Sequence, residues 1–231
     1  MAQSSAAITE AQKLSHPPSL AVSLAIGARV LSLVGDNAIL CQWVNQLVAV
    51  TSERGFAHWG AQGTIYRGWA EIKDGDVTGG MSLLHGGSTA YRATGAQGNM
   101  PYQIALMAGA SEISGQIEEA LSLLEDALQI VESTGERWFA AELNRHKGQL
   151  LLRQGLADAA EESYREALSI AREQEAKLWE LRAAVSLARL RRDQGRRAEA
   201  RDLLAPIYGW FTEGFDTADL KDAMALLAEL T

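Results

Sequence analysis

The chain has 231 residues, 47% of them apolar, and a formal net charge of −8. The apolar share supports a buried core and argues against a disordered chain. A net acidic chain is a poor match for the phosphates of nucleic acid, and a single cysteine, Cys41, excludes an internal disulfide and a cysteine-based zinc site.

In chain order, the opening "MAQSSAAITEAQKL" has no apolar stretch of the secretory kind, so a cytoplasmic location is expected. Its "ITEAQKL" reads like the tail of a preceding helix, which makes residues 1–15 a leader or the remnant of an earlier repeat. The run "LAVSLAIGARVLSLV" (20–34), broken by Arg29, is expected to fall short of a bilayer span. Cys41 is expected in the core of the next helix. Glycine then recurs on a fixed phase, at 35, 55, 75, 95, 115, 135, 155 and 195, with Glu175 the one exception. Glycine ends helices because it enters the left-handed region without a Cβ clash. The period therefore predicts helices of about sixteen residues joined by short turns.

A helix expected over 76–93 contains Gly79, Gly80, Gly86 and Gly87. Either neighbouring helices press close there, or that unit is loose and serves as a hinge. In "IEEALSLLEDALQIV" the apolar residues Ile117, Ala120, Leu121, Leu124, Ala127, Leu128 and Val131 follow helical spacing. Glu118, Glu119, Asp158, Glu161 and Glu162 are read as solvated charges at helix starts, where they suit the dipole. "DTADLKDAMALLAEL" closes the chain as one amphipathic helix with a cap-like Asp216-Thr217.

Counting from Gly35, Gly75, Gly115, Gly155 and Gly195 exposes a forty-residue unit. Seven residues before each stand Ala28, Gly68, Ala108, Gly148 and Ala188. Five after stand Leu40, Gly80, Ala120, Ala160 and Ala200. Nine after stand Val44, Leu84, Leu124, Tyr164 and Leu204, and twelve after stand Leu47, Gly87, Ala127, Ala167 and Ile207. Small residues at fixed places let two helices approach closely. Each unit is then an antiparallel helix pair, and stacked units build a solenoid.

"GQIEEALSLLEDAL" and "GLADAAEESYREAL" resemble the tetratricopeptide (TPR) repeat in their glycine, small residues and bulky ninth position. The resemblance implies an all-α, right-handed alpha-solenoid of about five helical hairpins over 16–214, closed by a capping helix over 215–231. The segments "RGWAEI", "YRATGAQ", "GERWFAAELNRHKGQLLL" and the stretch from 177 to 230 also look like the C-terminal repeat region of bacterial adenylate/guanylate-cyclase-like or LuxR-type ATPase regulators. That likeness implies a regulatory, non-catalytic interaction module, with a protein or peptide partner or an upstream ATPase or cyclase-like domain. Self-association is compatible with it. A small-molecule sensor binding its ligand in the solenoid groove is the alternative.

The sequence holds no P-loop, no His-Glu-x-x-His and no nucleophile elbow, so no enzyme, cofactor or metal is expected. His16, His58, His85 and His146 fall in separate segments. Trp59, Phe139 and Trp179 recur at forty-residue multiples, as a core seam or as a ladder for a flat ligand. "ARLRRDQGRRAEAR" (188–201) is interrupted by Asp193 and Glu199 and lacks aromatics, so neither nucleic acid nor membrane is expected as a partner. In TPR-like arrays the first helix of each pair lines a concave groove. By that analogy the groove residues are Arg29, Gln62, Trp69, Tyr102, Glu142, Arg145, Gln149, Arg153, Arg182, Arg189 and Arg192, with a basic end suited to an acidic peptide.

Overall fold

The phased turns all take one backbone conformation. In the computed structural model, which describes residues 2–231, φ is positive at all eight phased glycines, from 70° at Gly55 to 104° at Gly75. Glu175, the exception in sequence, has φ 54°, and Ser15, one period before Gly35, has φ 48°. The same closing hydrogen bond forms with or without glycine. Leu156 N donates to Leu151 O at 3.0 Å across the Gly155 turn, and Ala176 N to Ala171 O at 2.8 Å across the Glu175 turn. The conformation belongs to the turn, and glycine is only the residue that adopts it at least cost.

Between the turns run twelve α-helices, with no strand among the described residues. They are α1 Ala2–Lys13, α2 Pro17–Val34, α3 Asn37–Arg54, α4 Ala57–Lys73, α5 Val77–Ala93, α6 Met100–Ile113, α7 Ile117–Thr134, α8 Ala140–Arg153, α9 Ala157–Glu173, α10 Lys177–Asp193, α11 Arg197–Tyr208 and α12 Ala218–Glu229. They form two compact units, one reaching to Gln116 with α1–α6, the other starting at Ile117 with α7–α12. Within each unit consecutive helices pack together. Alternate even-numbered helices also touch: α2 with α4 and α4 with α6 in the first unit, α8 with α10 and α10 with α12 in the second. Within each unit the even helices thus make a row, with the odd helices packed between their neighbours along it.

Every residue at the four fixed offsets is buried, so the sequence phase is also the packing phase. The role of the small residues is clearest between α4 and α5. A Cβ on Gly80 would lie 2.4 Å from Gly68 O, and one on Gly68 would lie 2.6 Å from Gly80 O. A Cβ on Gly87 would meet Ile65 Cγ1 at 2.8 Å. These helices touch backbone to backbone, which accounts for Gly80 and Gly87 by close approach and leaves no need for a hinge. Gly79 sits at the helix start, where its N–H donates to Asp76 Oδ1 at 2.9 Å, and Gly86 faces open space. In the second unit Gly148 makes room for a ring instead: its Cβ would lie 2.6 Å from Tyr164 Cε1.

Three expectations need correction. Cys41 is half-buried, with Sγ 3.7 Å from Asp74 Oδ2; partial burial and that carboxylate push its thiol pKa up. Among the described residues one helix, α2, is long and apolar enough by composition to cross a membrane, with mean hydropathy 1.5 over 18 residues. The helix extends to Pro17, beyond the apolar run seen in the sequence, and Ala21, Leu24, Ala28 and Leu31 on it are buried. The Thr217 hydroxyl does not cap α12; it donates backwards to Gly214 O at 2.7 Å. What seats α12 is its apolar face, where Leu220, Ala223 and Leu226 join Ala188, Leu204 and Ile207 in one core cluster.

Two pairs of substitutions separate these causes. Gly80→Ala is expected to destabilise by about 2–3 kcal/mol through overpacking, whereas Gly86→Ala is expected to stabilise by up to about 1 kcal/mol; urea unfolding of the two variants checks the difference. Gly155→Val, which meets no neighbouring atom but keeps φ near 81°, is expected to cost about 1–2 kcal/mol in backbone strain. Glu175→Gly at the equivalent turn is expected to stay within about 1 kcal/mol of wild type.

Candidate interaction surface

Helix α10 carries arginines on two sides. Helical spacing puts Arg182, Val185 and Arg189 on the even-row side, and Leu187 and Arg191 on the side toward the odd helices.

On the even side a concavity of about 290 Å³ is lined by Arg145 and Gln149 of α8, Arg182, Val185 and Arg189 of α10, and Asp219 and Asp222 of α12. Arg145 donates to Glu142 through Nε at 2.7 Å and Nη2 at 2.6 Å. Burial lowers the Arg145 pKa, but Glu142 more than offsets this and the net shift is upward. Arg182 grips Asp219 with two bonds of 2.7 and 2.8 Å, lies 3.6 Å from Glu142 and stacks over Trp179 at 5.2 Å. Arg189 pairs with Asp222, and Arg192 with Asp193 at 2.9 Å and Glu229 at 2.5 Å. Beneath them burial pushes the Tyr164 pKa up to about 12, against the pull of Arg145 and Arg189. The expected basic end is therefore a ladder of paired charges. Three of its acids, Asp219, Asp222 and Glu229, come from α12, which lies against α10; Glu142 of α8 and Asp193 of α10 supply the others.

The remaining groove residues scatter. Tyr102 and Glu142 are buried, 1% and 8% exposed, so neither offers a solvent-facing contact. Tyr102 packs 6.4 Å from the Tyr66 ring and its hydroxyl bonds Ser32. Arg29 donates to Asn99 Oδ1 at 2.9 Å, Gln62 lies 3.1 Å from His58 Nε2, and Lys73 sits 5.5 Å over the Trp69 ring. All four of Arg29, Gln62, Trp69 and Tyr102 belong to the first unit, while Arg153 is exposed at the end of α8. Of the aromatic series, Phe139 is buried and meets Trp179 edge-on at 5.6 Å; Trp59 stands in the other unit, edge-on to His58 at 4.6 Å. Among the described residues no three His, Cys, Asp or Glu side chains gather around a common point for a metal ion.

The odd side of α10 was not foreseen. Glu161, read as a solvated helix-start charge, is only 8% exposed. It accepts from Arg165 Nη2 at 2.6 Å and from Arg196 Nη1 at 3.2 Å. Glu180, 5% exposed, accepts from Arg172 Nε at 3.0 Å and Lys177 Nζ at 2.8 Å. Burial raises the Glu180 pKa, but those two cations more than offset this and hold it below the usual carboxylate value. Between the two carboxylates lies a groove of about 300 Å³, lined by Arg165, Leu168, Ser169 and Arg172 of α9, Leu187 and Arg191 of α10, and Leu203 of α11. The four-residue spacing of Glu161 and Arg165, and the arginine run at 188–201 that holds Arg191 and Arg196, were the sequence signals for it.

Residues 103–173 match the tetratricopeptide repeat family model. A protein of Rhizobium meliloti (strain 1021) is 30% identical over 130 residues; the match takes in 56% of this chain but only 13% of that protein. Among solved structures, a Rap protein complexed with Competence and Sporulation Factor superposes with a TM-score of 0.64 at 14% identity, covering 91% of this chain and 63% of that one. BtubC (BKLC) from P. vanneervenii superposes with a TM-score of 0.62 at 15% identity, covering 85% and 87%. At those identities the likeness is one of fold. The chain is an all-α array of TPR-like repeats.

The Glu180 site gives a pH prediction. A carboxyl whose folded pKa is depressed stabilises the fold above its ordinary value of 4.5, and loses that contribution as pH falls through the folded value. Glu180→Gln is therefore expected to lower stability at pH 7 by about 1–2 kcal/mol. Its deficit against wild type is expected to shrink below pH 4.5. Paired thermal melts at pH 7 and pH 3.5 measure it; a pH-independent deficit would show that packing, not charge, is what Glu180 supplies.

Proposed function

We propose that the chain is a non-catalytic protein-interaction scaffold whose α8, α10 and α12 face receives a peptide segment or partner domain. The observation that carries this reading is the concavity of about 290 Å³ built from held arginines and aspartates around Gln149 and Val185. Such a surface offers fixed donors and acceptors to peptide amides without a loss of side-chain freedom on binding. The repeat match over 103–173 includes α8 and α9, and TPR-like repeats suit protein recognition. A structural neighbour, the Rap protein, is itself seen in complex with Competence and Sporulation Factor. A metabolite sensor is less favoured, because a small-molecule pocket is mostly apolar and this one is mainly charged. The motif likeness noted above, with the match to a small part of a longer bacterial protein, supports a wider setting: a regulatory module of a cytoplasmic ATPase- or cyclase-type signalling protein.

Testing requires a variant that keeps the fold. Charge reversal at Arg145 would set a second carboxylate beside buried Glu142, which would keep only Arg182 at 3.6 Å, at about 3–5 kcal/mol. A photo-crosslinking residue at Gln149 avoids this. In cells it is expected to give discrete protein adducts, which the same residue at exposed Glu119 does not give. Adding Arg189→Glu, at a partly exposed position, is expected to cut the Gln149 adducts about tenfold. Equal adducts at both sites would remove this face from the proposal.

A further inference from the structure

The two sides of α10 differ in how completely their arginines are satisfied. On the even side Arg182, Arg189 and Arg192 are each bonded to a carboxylate. On the odd side Arg191 is not. Its Nε is buried without a hydrogen-bond partner, and the nearest carboxylate, Glu161, is 3.9 Å away and already bonded by Arg165 and Arg196. A buried charged donor left unmade is costly, so Arg191 is the cation of this side that the fold satisfies least, and it meets the groove through the part of its side chain that lines it. The flanking arginines have capacity too. Arg165 uses Nη2 on Glu161 and Arg172 uses Nε on Glu180, and a guanidinium carries five donors.

Local charge points the same way. In the ion pairs of this side, five cations, Arg165, Arg172, Lys177, Arg191 and Arg196, share three carboxylates, Glu161, Glu180 and Glu199, on a chain whose net charge is −8. The groove between them is not purely polar, since Leu168, Leu187 and Leu203 line it. Its size, about 300 Å³, suits a few side chains and exceeds what a lone ion fills.

We propose that this groove binds an acidic peptide segment of a partner protein. One Asp or Glu carboxylate meets Arg191, and neighbouring apolar side chains rest on Leu168, Leu187 and Leu203. A carboxylate is the occupant because the structure already holds two in the same manner at the ends of the groove. Glu161 lies between Arg165 and Arg196, and Glu180 between Arg172 and Lys177. A third, placed on Arg191, repeats the arrangement. The inference rests on the interaction-scaffold reading but uses the opposite side of α10, so the two are separable.

The test uses the full chain and a fluorescein-labelled amphipathic peptide with Leu and Glu at helical spacing, read by fluorescence polarisation. The same peptide with Gln for Glu is the second probe. Arg191→Gln is expected to weaken binding of the Glu peptide at least tenfold, and Arg172→Gln severalfold. Arg54→Gln, an exposed charge loss in the other unit, is expected to leave binding as in wild type. The Gln peptide is expected to bind at least tenfold more weakly than the Glu peptide. Should Arg191→Gln unfold, the exposed Arg172→Gln carries the test alone, and unchanged binding there overturns the proposal. Equal affinity of the Gln peptide overturns it, as does no binding by wild type up to millimolar peptide. Loss with Arg189→Gln but not with Arg191→Gln would place the peptide on the even face, sinking this inference while supporting the scaffold reading.

Discussion

One residue with positive φ between consecutive helices reverses the chain in a few residues and seals the end of the first helix. This molecule meets that requirement every twenty residues from Ser15 to Gly195. Because the turn recurs on a fixed count, helix length, helix phase and the identity of the inward face are set together. Glu175 shows how firm the requirement is. The chain accepts a left-handed glutamate there, with the Ala176–Ala171 bond intact, in preference to changing the geometry.

Phase then becomes packing. A helix pair of fixed register brings the same offsets into contact each time, and the residue seven before each turn decides how near the partner comes. Glycine at 68 lets α4 and α5 meet at their backbones, while glycine at 148 admits the ring of Tyr164. The tight spacing within each helix pair follows, and the stacking of pairs brings α8, α10 and α12 side by side. Burial of methyl-sized side chains at these contacts replaces the larger core residues of a globular domain, which is why an alanine- and glycine-rich chain still excludes water along its length.

Charge is arranged on top of that scaffold. The second half of the chain carries fifteen basic and twenty-three acidic residues, yet its arginines are not simply diluted among acids. On the even row α12 supplies a carboxylate to each arginine of α10, which fixes the side chains and neutralises the face. On the odd side several arginines and one lysine share few carboxylates, and Arg191 is left with a buried donor. One helix thus presents a preorganised, balanced surface on one side and an electropositive groove with an apolar lining on the other. A repeat scaffold that presents two chemically different faces from the same helix has the means to hold two kinds of partner.

The sequence by itself determined the helix boundaries to within a few residues, the turns and the buried offsets. Each of these depends on local backbone preference and on a period that repeats within the chain. Only the tertiary structure decided which charges are partnered. Arg182 and Asp219 are 37 residues apart, Arg196 and Glu161 are 35 apart, and nothing local marks them as a pair. Glu161 passed for a solvated helix-start charge because its burial comes from neighbours one repeat away. Gly79 and Gly80 could not be told apart until α4 was seen to press on one and not the other. Tyr102 was expected on an open face and proved buried for the same reason: which side of a helix is covered is set by the helices around it, and periodicity along one chain segment does not carry that information.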